Sequence, residues 1–287
     1  MADSAVIAGR RVARVPMLRN GRPWLLLPIV ALNVAFVLMP ILLIFRKAFS
    51  GGLRPFREVL TTPLIRPILV NTLYISLLTT ILAVACAYIL ALTTWRSSMV
   101  MRAVIFAFVL LPFTTGVLVK NFAWAILLQD NGVINQFLQW TGVIDHSPTL
   151  LHTRAAVVVG MVHYVLPYAF LPIFAGLRSI DTRLEPAAAS LGAKRWQSAR
   201  HVVGPLSLPG VYAATLLVFI ISTGFFITPV VLGGPQDQMA ANLVAYYARE
   251  IVDFRAASIL ALLITLVVAA LTVAYQRLPK EGQYGAV

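Results

Sequence analysis

Long apolar runs that contain almost no charge constrain this chain more than any other feature of its sequence. A helix needs about 20 apolar residues to cross the hydrocarbon core of a bilayer, which is roughly 30 Å thick. Each of these runs is apolar on every face, which lipid and neighbouring helices tolerate and water does not. They are Trp24–Phe45, Pro67–Leu92, Ala103–Leu128 (interrupted by Lys120 alone), Ala155–Leu177, Leu208–Val231 and Ala256–Gln276. The sequence therefore predicts an all-α integral membrane protein with six transmembrane helices.

The composition supports a membrane protein and excludes two other classes. Hydrophobic residues make up 60% of the 287 residues, charged residues only 11%, and the mean hydropathy is +0.86. A soluble domain carries charge at about a quarter of its positions, and a disordered chain has far less apolar surface. The single cysteine excludes an internal disulfide and a cysteine-rich metal cluster. The net charge of +13 leaves two explanations, a nucleic-acid partner or basic loops on a membrane protein.

The positions of Lys and Arg favour the second explanation and predict an orientation. If the N-terminus lies inside, the inner segments carry fourteen basic residues and the outer segments with their flanks carry eight. Because cytoplasmic loops are enriched in Lys and Arg, both termini are expected in the cytoplasm, as tails 1–23 and 277–287 around a membrane domain 24–276. The loop after the first helix argues against this orientation, since it places five basic residues outside. The charge is best explained by membrane topology, with no nucleic-acid partner.

Lys120 is the only Lys or Arg inside a predicted span. A cationic side chain near the bilayer centre costs about 2.5–3.5 kcal/mol on insertion scales. Two interpretations stay open: the side chain extends to the membrane interface, or it faces a water-filled pathway together with Asn121 and Trp124. His163, in the middle of the fourth span with no acidic residue in any span, is expected to be a hydrogen-bonded packing residue.

Prolines and one turn signal divide the spans further. Pro112, Pro167, Pro172 and Pro229 each remove a backbone hydrogen bond and favour a kink, for packing or beside a cavity. The turn signal Asp130–Gly132 precedes a short interfacial helix expected over Gly132–Val143, with Trp140 as its anchor.

The loop 178–207 has the most distinctive local pattern, and we name it the coupling loop. Pro186 fits the first turn of a helix, the three alanines that follow favour helix, and Gly192 can terminate it. A second basic helix and a Pro-rich start of the fifth span follow. The small residues would let another protein approach closely, although a plain connecting loop has the same composition.

The coupling loop resembles the EAA loop of the inner-membrane permease subunits of binding-protein-dependent ABC importers. That motif reads E-A-A, three residues, G, nine residues, then I-x-L-P. Aligned on Gly192 and Pro205, the alanines, the glycine and its spacing to proline match, whereas Pro186 replaces the motif glutamate and Gly204 replaces its leucine. In that family the loop docks into a cleft of the cytoplasmic ATPase. The resemblance therefore implies ATPase-coupling residues at Glu185, Pro186, Ala187, Ala188, Gly192, Ala193 and Pro205.

The resemblance covers most of the chain and is closer to the spermidine/putrescine-type permease subgroup. It rests on segments at 118–124, 132–135, 166–172, 228–235 and 253–258. It implies the type I permease arrangement of six helices, and a non-catalytic subunit that forms half of the pathway. The implied partners are a second, different permease chain, two ATPase subunits and a periplasmic binding protein. The candidate pathway residues are Lys120, Asn121, Trp124, Tyr164, Phe225 and Phe226.

The residues leave the solute open. Phe225 and Phe226 offer cation–π faces to a polyamine, whereas Lys120 would favour an anionic or zwitterionic solute such as an opine or a phosphonate. Ferric iron is a further possibility among relatives. We expect a small charged solute, with a polyamine first.

The sequence disfavours catalysis by this chain. It contains no Gly-Lys dipeptide and hence no P-loop, so ATP and Mg²⁺ are expected on partner subunits and no cofactor or metal on this one. The alternative of an intramembrane enzyme would need a nucleophile with a base, or metal ligands, at membrane depth. The predicted spans contain no Asp or Glu.

Overall fold

The computed structural model describes residues 27–277, apart from the side chains of Leu27, Arg195 and Gln276. Within this range all regular secondary structure is helical. The helices are α1 (Leu27–Ala48), α2 (Arg54–Thr61), α3 (Ile65–Arg96), α4 (Met99–Thr114), α5 (Val117–Leu128), α6 (Val133–Trp140), α7 (Arg154–Arg178), α8 (Leu184–Ser190), α9 (Arg195–Ser198), α10 (Gly204–Thr223), α11 (Ile227–Leu232), α12 (Ala240–Arg249) and α13 (Phe254–Gln276). The described chain divides into two units, α1 as far as Phe45 and the helical bundle from Arg46 onward. The predicted tails 1–23 and, except for Arg277, 277–287 lie outside the described residues.

Five continuous helices are long and apolar enough to cross a membrane. They are Pro28–Ala48, Ile65–Arg96, Arg154–Arg178, Trp196–Thr223 and Phe254–Tyr275. A sixth span is obtained when the bent pair α4 and α5 is counted as one. The all-helical membrane fold is thereby confirmed, and a short helix, α6, lies where one was expected after Gly132.

The third span differs from its prediction. A continuous helix was expected over Ala103–Leu128, but the chain bends by 104° between α4 and the helical segment that begins at Val117. Pro112 lies in the last turn of α4 and has no N–H to continue the helix. Thr115 and Gly116 then adopt extended backbone angles, with ψ of 134° and 146°. The two residue types together produce a break where proline alone favours a kink.

The fifth span also ends earlier than predicted. A helix to Val231 was expected, but α10 stops at Thr223, and Gly224 to Phe226 separate it from α11. A continuous helix would place the ring of Pro229 against the carbonyl of Phe225, four residues earlier. Phe225 therefore lies in a non-helical linker between two helices.

At its other end the fifth span is longer than predicted. The expected second helix of the coupling loop, α9, runs into α10 through a π-helical turn at Ala199–Val203. Pro205 cannot donate the next helical hydrogen bond, and a π turn is a common way to accommodate such a defect. The last part of the coupling loop, from α9 onward, and the fifth span therefore form one uninterrupted helix.

The centre of the bundle is the mutual packing of α3, α7 and α10. Its fully buried side chains include Met161 and Phe170 of α7. At Gly176 and Gly210 the backbones of α7 and α10 approach closely, so that a Cβ on Gly210 would lie 2.7 Å from the carbonyl oxygen of Pro172. Only glycine fits there. Close packing of these two helices fixes the position of α7, which carries part of the candidate site.

Candidate functional site

The coupling loop begins with a short helix whose ends are built as the sequence predicts. Pro186 lies in the first turn of α8. Gly192 has a φ of +85°, its N–H bonds the Ala189 carbonyl at 3.0 Å, and the Ala193 N–H bonds the Ala188 carbonyl at 3.1 Å. This pair of bonds is the Schellman arrangement, which requires a left-handed residue at the position of Gly192. The turn is thus fixed by backbone geometry.

The surface beside this turn is open and partly apolar. Leu191 is 90% exposed and Trp196 is 58% exposed. A groove of about 320 Å³ between α8 and α9 is lined by residues that include Ala188, Gly192 and Ser198. Large exposed apolar side chains around a concave surface are typical of a protein–protein contact.

The carboxylates of the coupling loop already have partners within the chain. Glu185 accepts a hydrogen bond from the Arg96 guanidinium at the end of α3, with 2.6 Å between the charged atoms. Asp181 accepts from the backbone N–H of Arg183 at 2.9 Å. Pro205 lies beyond the π turn, in the first turn of α10. The seven predicted coupling residues therefore all lie at one end of the bundle, which we call the coupling-loop end.

Three of the predicted pathway residues meet inside the bundle. The Lys120 ammonium lies over the ring of Tyr164, 4.8 Å from its centroid. The edge of Tyr164 meets Phe225 with 5.1 Å between centroids. Tyr168, which the sequence did not single out, stacks on Tyr164 at 5.9 Å. We call Lys120, Tyr164, Tyr168 and Phe225 the Lys120 cluster.

The geometry of Lys120 bears on its two interpretations. The side chain is only 8% exposed and lies over an aromatic ring of α7, so it points into the helical bundle. A lysine that extends to the membrane interface exposes its ammonium, so this position favours the pathway interpretation, which stays a prediction.

The other predicted pathway residues lie close by, with one exception. Trp124 donates from Nε1 to Nδ1 of His163 at 3.0 Å, so His163 is the hydrogen-bonded residue that the sequence suggests. Asn121 lies beside Gly160, where a Cβ would be 3.6 Å from its Oδ1. Phe226 lies apart: its carbonyl accepts from Asn242 at 2.8 Å, and its ring contacts no other ring of the described chain.

Two buried polar atoms near the cluster have no hydrogen-bond partner among the described residues. They are Nδ2 of Asn121 and the hydroxyl of Thr228, and both side chains flank Gly160. Each unpaired polar atom in an apolar interior costs about 1–3 kcal/mol. A polar ligand or water that passes this point would satisfy them. Thr228 precedes a proline in one of the segments that carry the resemblance, which was the only signal for it in the sequence.

At the opposite end of the bundle a clasp holds the segment after α11. Asp237 is 1% exposed, accepts from Arg154 Nε at 3.2 Å and from the Gly234 N–H at 3.1 Å. Asn71 at the start of α3 donates to the carbonyls of Gln236 and Gln238 at 3.2 and 3.0 Å. The clasp was not foreseen, because its partners are more than 80 residues apart. It fixes the far end of α11 and thereby the linker that carries Phe225.

The region that contains both sites matches one protein family. A family model described as "Binding-protein-dependent transport system inner membrane component" matches residues 80–279. The chain belongs to this family. It is therefore an inner-membrane permease of a binding-protein-dependent ABC importer, and the resemblance drawn from the coupling loop is confirmed.

Individual relatives of this permease support the family assignment. It is 27% identical over 263 residues to the spermidine/putrescine transport system permease protein PotB of Escherichia coli (strain K12), covering 88% of this chain and 96% of that protein. The putative ferric transport system permease protein FbpB 1 of Haemophilus influenzae is 28% identical over 239 residues, covering 82% of this chain and 38% of that protein.

The fold of the permease matches that of solved transporters. A chain of a bacterial alginate ABC transporter, solved in complex with an alginate pentasaccharide-bound periplasmic protein, superposes with a TM-score of 0.78 at 17% identity. The match covers 92% of this chain and 96% of that one. The predicted permease architecture is thereby confirmed.

Proposed function

We propose that this permease forms half of the translocation pathway of an ATP-driven importer whose solute is a polyamine of the spermidine or putrescine type. The observation that carries the solute assignment is the similarity to PotB over 88% of the chain. The aromatic faces of the Lys120 cluster support it, because π faces bind alkylammonium groups.

One observation favours a second class of solute. The Lys120 ammonium is buried, and the described spans offer it no carboxylate partner. An anionic or zwitterionic solute such as an opine or a phosphonate would supply one. Ferric iron is a third candidate, through the similarity to FbpB 1. An intramembrane enzyme has no support from the family.

The proposed pathway runs along the two broken spans. Discontinuous helices in transporters form solute sites because their free backbone ends and linkers line a cavity. The breaks at Thr115–Gly116 and Gly224–Phe226 lead into α5 and α11, and these two helices pack on each other and on α7. These helices and breaks carry the predicted pathway residues Lys120, Asn121, Trp124, Tyr164 and Phe225. Phe226 is the last residue of the second break.

The coupling loop is the proposed contact to the ATPase, and the chain itself binds no cofactor. The Schellman turn at Gly192 presents Leu191, and Trp196 lies on the adjacent helix. Pro186 replaces the acidic residue of the motif, and Glu185 is paired with Arg96. Docking would therefore depend on apolar and small-residue contacts more than on a carboxylate.

This proposal includes an assembly and an orientation. Two ATPase subunits would carry ATP and Mg²⁺ on the cytoplasmic side, where both termini and the coupling-loop end would lie. A second, different permease chain would complete the pathway, and a periplasmic binding protein would deliver the solute at the opposite end.

The experiment that tests the proposal is reconstitution of the importer in proteoliposomes with its binding protein. Radiolabelled putrescine and spermidine are compared with an opine, a phosphonate and ferric citrate, each with ATP or with ADP as the matched control. We expect ATP-dependent accumulation of the two polyamines. Accumulation of another solute alone would replace the polyamine assignment, and uptake that does not depend on ATP would contradict the importer mechanism.

A further inference from the structure

Lys120 presents a chemical group that the proposed solute also carries. Its side chain ends in a primary alkylammonium, as do both ends of putrescine. This ammonium lies over Tyr164, and it forms no hydrogen bond or ion pair with any side chain that the structure describes. The face of Tyr164 is thus a site for an ammonium group, and the side chain of Lys120, which is attached to α5, occupies it.

The ring of Tyr164 is held rigidly enough to act as a binding surface. One of its neighbours, Tyr168, stacks on it with an interplanar angle of 25°, and another, Phe225, meets it edge-on at 88°. A cation over the face of a fixed aromatic ring is attracted most strongly where water is excluded. Lys120 is 8% exposed and Phe225 is 7% exposed, so this site is largely shielded from water.

Two ammonium groups cannot share this face. Like charges a few ångströms apart in a weakly polar interior repel strongly, and the described spans contain no carboxylate to offset them. The solute ammonium can reach Tyr164 only after the lysine has left. Because Lys120 lies on a half-helix that begins just after a break in its span, it can move with α5 while α4 stays in place.

We propose that Lys120 is a tethered plug: its ammonium occupies, in the resting permease, the aromatic site over which a primary ammonium of the solute passes. This inference rests on the proposed function and adds to it the chemical class that the site selects, a primary alkylammonium. The plug closes the pathway to ions in the absence of solute, and an arriving ammonium displaces it by competition for the same ring.

The test uses the complete importer in proteoliposomes, without ATP or binding protein, and measures passive flux. Lys120→Met removes the charge and keeps the length of the side chain; Lys47→Met is the matched control, at an exposed lysine outside the cluster. Tyr164→Phe keeps the ring, and Lys120→Met/Tyr164→Leu removes both plug and site. The probes are putrescine, n-butylammonium and the uncharged 1,4-butanediol. Co-purification of the ATPase verifies that each variant is folded.

We expect Lys120→Met to raise the flux of putrescine and butylammonium by roughly 10- to 30-fold, the strength of a desolvated cation–π contact. Tyr164→Phe and Lys47→Met should stay within about twofold of wild type, since neither removes the contact. The double variant should lose the selectivity for ammonium over butanediol. Equal flux in Lys120→Met and Lys47→Met would overturn the proposal.

A second result would also overturn it. If Lys120→Met abolishes ATP-driven uptake of an anionic solute that wild type accumulates, Lys120 is the binding partner of an anion and not a plug. The butylammonium flux separates this inference from the proposed function. That flux reports the plug even if the wild-type importer accumulates no polyamine, in which case only the solute assignment fails.

Discussion

Replacing Gly192 tests whether the coupling loop acts through its backbone turn. A Cβ at this position would meet no atom within 4 Å, so a substitution causes no clash within the described chain. The cost comes from the φ of +85°, which disfavours an L side chain by about 1–2 kcal/mol, and asparagine by less. If the ATPase requires this turn, Gly192→Ala weakens its association by roughly 5- to 30-fold, since 1.4 kcal/mol is a factor of ten.

A series of variants separates the turn from the contact. Ala and Leu at position 192 have a similar backbone cost, so any additional loss with Leu measures how closely the ATPase approaches the glycine. We expect the order Gly, Asn, Ala, Leu in ATPase co-purified with the detergent-solubilised permease, with membrane insertion unchanged. Gly142→Ala is the control, because Gly142 has a φ of +71° with no neighbour within 4 Å and lies far from the coupling loop in sequence.

Two results would refute this reasoning. If Gly142→Ala lowers co-purification as much as Gly192→Ala, the effect is general destabilisation. If Leu at position 192 leaves the ATPase bound as in wild type, neither the turn nor the space beside it is needed for coupling.

Three further outcomes follow from contacts in the bundle. Gly210→Ala should destabilise the permease by about 1–3 kcal/mol through overpacking, and its thermal unfolding temperature in detergent should fall. Gly224→Ala is the control: its Cβ would come no closer than 3.7 Å to its neighbours, so the unfolding temperature should not fall. Asp237→Ala leaves the part-buried Gly234 N–H and Arg154 without their acceptor, and should cost roughly 1–3 kcal/mol, whereas Asp237→Asn should cost less because its amide oxygen can still accept; hydrogen exchange after α11 would report the difference. Glu185→Gln removes an exposed ion pair and should change the unfolding free energy by less than about 1 kcal/mol, so a large loss of ATPase binding would identify a direct contact.

Hydropathy predicts the spans well because lipid imposes one simple requirement on them. It does not predict which proline interrupts a helix. Pro167 and Pro172 lie inside the continuous α7, whereas Pro112 is followed by a break. The difference is tertiary: α7 is packed between α3 and α10, while in α4 only Val109 is buried. The neighbouring helices hold α7 together across its prolines, whereas α4 lacks such packing and ends after Pro112.

The two candidate sites also differ in how well the sequence predicts them. The turn at Gly192 could be predicted because its signals, three alanines and a glycine, are adjacent in sequence. The burial of Lys120 over Tyr164 could not, since the two residues lie on different helices, α5 and α7. Asp237 was missed because its partner Arg154 lies on another helix and far away in sequence. Tyr168 lies one turn after Tyr164 on α7, so the spacing of the two tyrosines was a signal that was overlooked. Local sequence patterns predict local structure. They do not predict how the broken spans meet, because that depends on the packing of the whole bundle.

The uninterrupted helix from Trp196 to Thr223 has a mechanical consequence. Its 28 residues form a rod about 42 Å long, with one end on the coupling loop and the other two residues before Phe225. A tilt imposed at Trp196 is transmitted along the rod as a displacement of the linker at Gly224, and the clasp at Asp237 holds the far side of that linker in place. Movement at the coupling-loop end would thereby change the angle between Phe225 and Tyr164. The π turn at Ala199–Val203 lies near the coupling-loop end of this helix. It is the point where the helix can absorb a rotation without breaking.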